Sequence, residues 1–182
     1  MSRTLIVHAH PRPASSVVTG ALLRALAERP GTTVRSLYAL YPDFDIDVAA
    51  EQQALADAGL VVWLAPVHWY SVPALLKHWF DSVLVHGWAY GEGGAALRGK
   101  IAWWVTSVGG AAAEYSAGGR HGRPFADYVA PVEQVARQCG MRWVEPFVVH
   151  AGHRASEAER DGVLRMLRAR RRVLQAEQGE LP

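Results

Sequence analysis

Short runs of consecutive apolar residues alternate along the chain with segments in which apolar residues recur every three or four positions. Five runs rich in Val, Ile, Leu and Trp predict strands that are buried on both faces: Thr4–His8, Thr33–Tyr38, Leu60–Leu64, Ile101–Ser107 and Arg142–Val149. The segments between and after them predict helices: Val17–Leu26, Asp47–Ala58, Val72–Val85, Phe125–Cys139 and Ala155–Glu177. Ser15 or Ser16 is expected to cap the first helix, and Ser156 the last.

This alternation of strands and helices over 182 residues predicts one α/β domain covering residues 1–182. Five parallel strands joined by right-handed crossovers favour a doubly wound, flavodoxin-like sheet with the strand order 2-1-3-4-5. In such a sheet, ligands bind beyond the carboxyl ends of the strands, beside the switch in strand order. The loops after the first, third and fourth strands are therefore expected to form the site.

The composition excludes several classes of protein. Half of the residues are apolar and the net charge is only +2, which excludes a disordered chain and argues against nucleic-acid binding through charge alone. A single cysteine, Cys139, cannot form an intrachain disulfide and fits a reducing compartment. No apolar run has the length of a signal peptide or membrane span, so we expect a cytoplasmic protein that is peripheral at the inner membrane only through a partner. Arg168 and Arg170–Arg172 are expected to form a solvated face of the last helix.

The loop after the first strand predicts a phosphate site. It has neither a G-x-G-x-x-G nor a G-x-x-x-x-G-K-[ST] motif, which argues against an ordinary dinucleotide site and against a P-loop. It does place Ser15 and Ser16 at a helix N-terminus, where free N–H groups favour a phosphate monoester, and His10 could add a donor. The alternative is an ordinary helix cap beside a loop histidine.

The other two loops carry aromatic residues and glycines. Trp69 and Tyr70 could stack on a flat ring, or they could close the end of the sheet as core aromatics. Gly109 and Gly110 allow close approach of a ligand to the backbone. Tyr115 and His121 could donate or relay protons, although a tight turn with surface polar residues has the same composition. Taken together, the three loops fit a flavin mononucleotide.

These residues, in this order, resemble the NAD(P)H:quinone oxidoreductase flavoproteins of the flavodoxin-like fold, from Thr4 to about Glu177. Within that family the chain is most similar to the ancillary oxidoreductase subunits of bacterial glutathione-regulated potassium-efflux systems. The stretches that carry this second similarity are Arg35–Asp47, Trp69–Lys77 and His86–Gly91.

The resemblance implies a role for each matched residue. The flavin phosphate and ribityl chain would be held by His10 and Ser16 with the backbone of Val17, Val18 and Thr19. The ring would be held through N–H groups and aromatic packing by Val67, His68, Trp69 and Tyr70, and at its other edge by Ser107, Val108, Gly109 and Gly110. The substrate side would be lined by Tyr115 and His121. The chain departs from the family pattern at His68, where glutamine is usual, and at Ser107–Val108, which replaces a Thr-rich step.

The resemblance also implies a reaction and partners. The cofactor would be FMN, with FAD as the alternative, and NAD(P)H would reduce a quinone by two electrons in a ping-pong cycle. A homodimer is implied, as is docking on the cytoplasmic domain of a potassium/proton antiporter. A purely regulatory flavin-binding subunit is the alternative. A metal-dependent hydrolase is disfavoured, because His8 and His10 share a strand face but no H-E-x-x-H or CxxC motif accompanies them, so we expect no metal.

The remaining aromatic residues receive structural interpretations. Trp63, Trp103 and Trp104 lie inside predicted strands and are expected in the core. Residues expected at a subunit interface or surface are Trp79, Trp88, His78 and His86; those expected as polar turn residues are His150 and His153.

Overall fold

The computed structural model describes residues 3–179. Its strands are β1 (Thr4–His8), β2 (Thr32–Ser36), β3 (Leu60–Pro66), β4 (Ile101–Val108) and β5 (Arg142–His150). Its helices are α1 (Val18–Ala27), α2 (Leu37–Leu40), α3 (Val48–Asp57), α4 (Ala74–Val83), α5 (Ala126–Gln138) and α6 (Glu157–Gly179). Short 3-10 turns cover Pro13–Ser15, Ala112–Glu114 and Gly152–Arg154.

The strands form one all-parallel sheet in the order β2-β1-β3-β4-β5, which confirms the predicted topology. β1 has the predicted bounds, and β3, β4 and β5 each extend one or two residues further toward the carboxyl edge. The prediction for β2 was wrong at its end: the strand stops at Ser36, and Leu37 begins the unpredicted single turn α2. Apolar residues at Leu37 and Tyr38 fit either state, because a run this short has no distinctive period.

Two apolar cores cover the two faces of the sheet. Side chains of successive strand residues point to opposite faces, so Leu5 and Val7 pack on one side while Ile6 packs on the other. Helices α3, α4 and α5 cover the first face, and α1 and α6 cover the second. Trp63, Trp103 and Trp104 are fully buried in these cores, as predicted.

A buried carboxylate joins β2, α3 and α4. Glu51 on α3 is inaccessible to solvent, and its carboxylate accepts hydrogen bonds from Arg35 Nε and Tyr41 Oη, both at 2.7 Å, and from Trp79 Nε1 at 2.9 Å. Expecting Trp79 at a subunit interface was therefore wrong, since its indole is buried within the chain and satisfied by this carboxylate. Trp88 is half-buried against the same core.

Arg171 does not belong to a solvated face of α6, as the sequence suggested. Its side chain is buried, and the guanidinium donates to the carbonyl oxygen of Leu26 and to Thr32 Oγ1. Burial, followed by the nearby Arg29, lowers the pKa of Arg171 to about 10. Arg171 thus joins α6 to the end of α1 and the start of β2, whereas Arg172 is exposed.

His78 and His86 do not share a helix face, because α4 ends at Val83. His78 is exposed on α4 and its Nε2 lies 3.1 Å from the carbonyl oxygen of Phe44, while His86 lies in the loop that follows. Within residues 3–179, none of the helices combines the length and the apolar character that a membrane span requires.

Candidate flavin site

The carboxyl ends of β1, β3 and β4, with the turn after β5, surround a cleft of about 250 Å³. The register places Pro66 beside Ser107 and Val108 beside His150, so these strands end at the same edge of the sheet. Of the predicted site residues, those lining the cleft are His10, Ser16, Val17, Val18, Thr19, Val67, His68, Ser107, Val108 and Gly109. The predicted residues outside this lining are Trp69, Tyr70, Gly110, Tyr115 and His121.

The start of α1 supplies free backbone donors at one end of this cleft. The first N–H groups of a helix have no intrahelical acceptor, and among the described residues those of Val17, Val18 and Thr19 have no other backbone or side-chain acceptor. Ser16 Oγ accepts the N–H of Gly20 at 2.9 Å, so its hydroxyl caps the helix from just outside its first turn. Such a helix start attracts phosphate through its N–H groups and its dipole.

The His10 imidazole lies beside this helix start in a defined tautomer. Its Nδ1 accepts the N–H of Arg12 at 3.1 Å, so the neutral ring carries its proton on Nε2. Burial, followed by the neighbouring His68, lowers the pKa of His10 below the ordinary histidine value. His10 is therefore a neutral hydrogen-bond donor at pH 7 while no anion is bound.

The aromatic loop after β3 is a two-residue turn in an unusual conformation. His68 and Ser71 exchange backbone hydrogen bonds of 2.9 and 3.0 Å, and the residues between them, Trp69 and Tyr70, have φ of 48° and 65°. Positive φ at both central positions is the type I′ geometry, which ordinarily carries Asn or Gly. Trp69 is 93% exposed, so packing within the chain does not hold it there.

The hydrogen bonds of this turn leave only some backbone N–H groups of the loop available to a planar ligand. The N–H of Val67 donates to the carbonyl oxygen of Ser107 at 2.9 Å, and that of His68 donates to Ser71. The free N–H groups of the loop are therefore those of Trp69 and Tyr70. The other edge of the cleft is fixed by Ser107, whose Oγ lies 3.2 Å from Thr19 Oγ1 and ties β4 to α1.

Tyr115 and His121 form a stacked pair above the glycine edge. Their rings are 4.2 Å apart between centroids and inclined by only 17°. Burial, followed by the phenols of Tyr128 and Tyr70 and the carboxylate of Glu114, raises the pKa of Tyr115 above its ordinary value. The phenol consequently stays protonated at neutral pH and can donate a hydrogen bond.

Gly110 lies directly beneath this pair. A Cβ at Gly110 would lie 2.9 Å from Glu114 Oε2, 3.0 Å from His121 Nε2 and 3.1 Å from Tyr115 Cε2. The Glu114 carboxylate also accepts the N–H of Ala111 at 2.7 Å, which closes the loop into a tight turn. At Gly109, by contrast, an added Cβ would meet no atom within 4 Å.

The sequence reasoning missed part of this aromatic cluster. His150 was expected to be a polar turn residue, but it ends β5, is half-buried and contacts Tyr115 edge-on at 5.4 Å. Tyr128 on α5 stacks on Tyr70 at 5.2 Å. The rule that ligands bind at the carboxyl ends of parallel strands would have found His150, whereas Tyr128 lies on a helix and had no local signal.

His8 lies at the end of β1, near His10 but outside the residues that line the cleft. It is buried, its Nδ1 is 3.0 Å from Ser36 Oγ, and burial followed by the nearby His10 lowers its pKa to about 4. Over residues 3–179, no group of three or more His, Cys, Asp or Glu residues is arranged to hold a metal ion.

The residues present fit a flavin mononucleotide. Free N–H groups and serine hydroxyls at one end of the cleft suit a phosphate. The open space at Gly109 and the free N–H groups of Trp69 and Tyr70 suit the edges of a planar, hydrogen-bonding ring. The Tyr115–His121 pair adds polar side chains beside Gly110, next to that edge.

Comparisons with known proteins agree with this geometry. A family model described as flavodoxin-like fold matches residues 2–171. The chain is 49% identical over 146 residues to the glutathione-regulated potassium-efflux system ancillary protein KefF of Klebsiella pneumoniae, covering 80% of this chain and 81% of that protein.

Two solved structures are also similar. General stress protein 14 of Treponema denticola, in complex with FMN, has a TM-score of 0.85 and 39% identity over 96% of this chain and 98% of its own. An NADPH-quinone reductase of P. pentosaceus has a TM-score of 0.83 and 28% identity over 91% of this chain and 95% of its own. The chain therefore belongs to the flavodoxin-like family, and its relatives there include the ancillary proteins of the glutathione-regulated potassium-efflux system.

Proposed function

We propose that the protein is an FMN-dependent NAD(P)H:quinone oxidoreductase. The observation that carries this proposal is that a helix start with free N–H groups, an open cleft and the stacked Tyr115–His121 pair lie at one edge of the sheet. The similarity to an FMN complex and to an NADPH-quinone reductase supports it. Bound FMN would supply two-electron transfer from a nicotinamide to a quinone.

The residues of the cleft would position the cofactor. The N–H groups of Val17, Val18 and Thr19 and the Ser16 hydroxyl face the phosphate end. The N–H groups of Trp69 and Tyr70 approach one edge of the ring position, and Gly109 leaves space at the other. The FAD alternative is disfavoured, because residues 3–179 include no segment beyond the five-stranded domain that would hold an adenine.

Tyr115 and His121 would act on the substrate side. As donors held by stacking and by Gly110, they can stabilise negative charge that develops on a ring carbonyl during reduction. The raised pKa of Tyr115 keeps its phenol available as a donor, and His121 can deliver a proton to the reduced quinone. The resemblance to quinone oxidoreductases implies a ping-pong cycle, in which donor and acceptor would occupy in turn a slot beside this pair.

The half-reactions test this function separately. Protein loaded with FMN is mixed without oxygen with NADH or NADPH, freed of nucleotide and then given a quinone. We expect the visible flavin bands to disappear in the first step and to return in the second. Bleaching that requires both substrates together would contradict the ping-pong order, and the absence of bleaching with either nucleotide would contradict the reductase.

A second role rests on the relatives. The 49% identical Klebsiella protein is named an ancillary protein of a potassium-efflux system, so we also propose that this chain docks, as a homodimer, on the cytoplasmic domain of a potassium/proton antiporter. The protein would then be peripheral at the inner membrane. Co-elution of the purified chain with that soluble domain would support docking, and separate elution at micromolar concentrations would leave the chain as a free reductase.

A further inference from the structure

We propose that His68 and His153 join His10 as ligands of the flavin phosphate, and that these three residues, the histidine triplet, take up a proton when a phosphate monoester binds. This inference rests on the proposed function and names how this chain holds the charged end of its cofactor.

The first observation is the position of the triplet. His10, His68 and His153 come from the loops after β1, β3 and β5, and all three line the same cleft as Ser15 and Ser16. The rings of His10 and His68 are 6.4 Å apart between centroids and steeply inclined to each other. Imidazoles from three separate loops therefore line one cleft together with these two serines.

The second observation is the charge of the lining. Among the described residues, those that line the cleft include no carboxylate, no lysine and no arginine. Phosphate sites usually contain Lys or Arg, whereas the only side chains here that can become cationic are histidines. Among the residues that line the cleft, positive charge can therefore appear only where an imidazole binds a proton.

The third observation is the tautomer of two rings. His10 Nδ1 accepts the Arg12 N–H, and His153 Nε2 accepts from Arg154 Nε at 3.2 Å. In the neutral rings the remaining nitrogens, Nε2 of His10 and Nδ1 of His153, must carry the protons. Each ring therefore offers a donor to an anion even before it becomes charged.

Burial disfavours protonation of His10 until an anion arrives. The charged or titratable groups that face the triplet are His8 from β1, Arg12 from the loop after β1 and Arg154 from the turn before α6. None of these is acidic, and burial together with His68 lowers the pKa of His10. A phosphate dianion reverses this balance, because an opposite charge within about 4–6 Å favours the charged imidazole.

The consequence is a specific ligand preference. Proton uptake strengthens binding only when the ligand bears a phosphate, so the triplet should favour FMN over riboflavin, and more so at lower pH. Linkage requires log Kd to rise with pH by up to about one unit per pH unit for each proton taken up.

The test measures the Kd of FMN and of riboflavin by quenching of flavin fluorescence at pH 7.0 and pH 8.5. The second pKa of a phosphate monoester is about 6, so the FMN phosphate is a dianion at both pH values and any change reports the protein. We expect the Kd of FMN to rise about tenfold over this interval, and the Kd of riboflavin to change less than about twofold.

The variants His68→Gln and His153→Gln retain a polar side chain that cannot become cationic. Each should still bind FMN but lose at least about half of the logarithmic pH effect. The matched control is His78→Gln, an exposed histidine on α4 outside the cleft, which should behave like the unmodified chain.

An unchanged pH effect in both cleft variants, or an equal effect for riboflavin, would overturn the histidine triplet while leaving the proposed function intact. If neither flavin binds at either pH, the proposed function fails and this inference fails with it.

Discussion

The turn at Trp69–Tyr70 holds two bulky aromatic residues in a conformation that favours Asn and Gly. Trp69 has φ of 48° and is 93% exposed, so the fold gains almost nothing from burying it. Replacing it by Asn keeps the turn, because Asn tolerates the left-handed region through its short polar side chain. The substitution Trp69→Asn therefore separates two quantities: the free energy that the strained turn costs the fold, and the free energy that the indole contributes to ligand binding.

The magnitudes follow from the geometry. The left-handed conformation costs a bulky residue about 1–2 kcal/mol, and an indole this exposed has little burial to lose, so Trp69→Asn should stabilise the fold by about 1 kcal/mol. For a chain of this length that corresponds to a Tm higher by about 2–4 °C. Stacking of an aromatic face contributes about 0.5–1.5 kcal/mol, so FMN should bind about three- to tenfold more weakly.

Two measurements on the same samples check this prediction. Thermal unfolding without flavin reports the stability, and fluorescence titration reports the Kd of FMN. The control Met166→Gln removes another exposed apolar side chain, 60% accessible on α6, from an ordinary helical conformation and should change neither quantity.

A lower Tm for Trp69→Asn would refute the strain argument, because it would show that the indole stabilises the fold. An unchanged Kd for FMN would refute its role in the site. Both results together would mean that the turn is ordinary structure and that the aromatic loop has no part in binding.

Three further predictions concern the core, the pH response and the glycine edge. Glu51→Ala removes the acceptor of three donors and should destabilise the fold by about 3–5 kcal/mol, measured by urea unfolding; a loss below about 1 kcal/mol would contradict the buried network. His8 is neutral in the fold, because its pKa is lowered to about 4. Its contribution to the free energy of unfolding is therefore complete above pH 6.5 and is lost as the pH falls from 6.5 through 4, by at most about 3 kcal/mol. In His8→Gln, the loss of stability at acid pH should be smaller by that amount. Gly110→Ala should displace Tyr115 and His121 and lower quinone reduction by about 10–100-fold with nearly unchanged Tm, and full activity in this variant would refute the packing argument. Gly109→Ala, whose added Cβ meets no atom of the chain within 4 Å, should leave the Tm unchanged and keep the stacked pair in place.

The local pattern of apolar and polar residues was sufficient to predict most of the strands and helices. Strands buried on both faces have no polar alternation, and the resulting apolar runs are distinctive enough that β1 was predicted with its observed bounds. The end of β2 was predicted wrongly, because two apolar residues fit one turn of helix as well as they fit a strand. Ligands of such sheets bind at the carboxyl ends of the strands, beside the switch in strand order, and this rule predicts that the loops after β1, β3 and β4 lie together.

Tertiary partners account for what the sequence could not predict. Trp79 can be buried because the Glu51 carboxylate on another helix accepts a hydrogen bond from its N–H. Arg171 can be buried because the carbonyl oxygen of Leu26 on α1 and the hydroxyl of Thr32 on β2 accept hydrogen bonds from its guanidinium. Neither partner is near in sequence. His150 and Tyr128 likewise join the site through packing, and the positive φ values at Trp69 and Tyr70 contradict the preferences of those residue types.

The most direct test of the account is a titration of the purified chain with FMN, followed by flavin fluorescence and the visible spectrum. We predict saturable binding of one FMN per chain, with quenched fluorescence and shifted visible bands, because the proposed site offers free N–H groups at the start of α1 and open space at Gly109. If FMN, FAD and riboflavin all fail to bind, the cleft is not a flavin site, and the reductase proposed for it is contradicted.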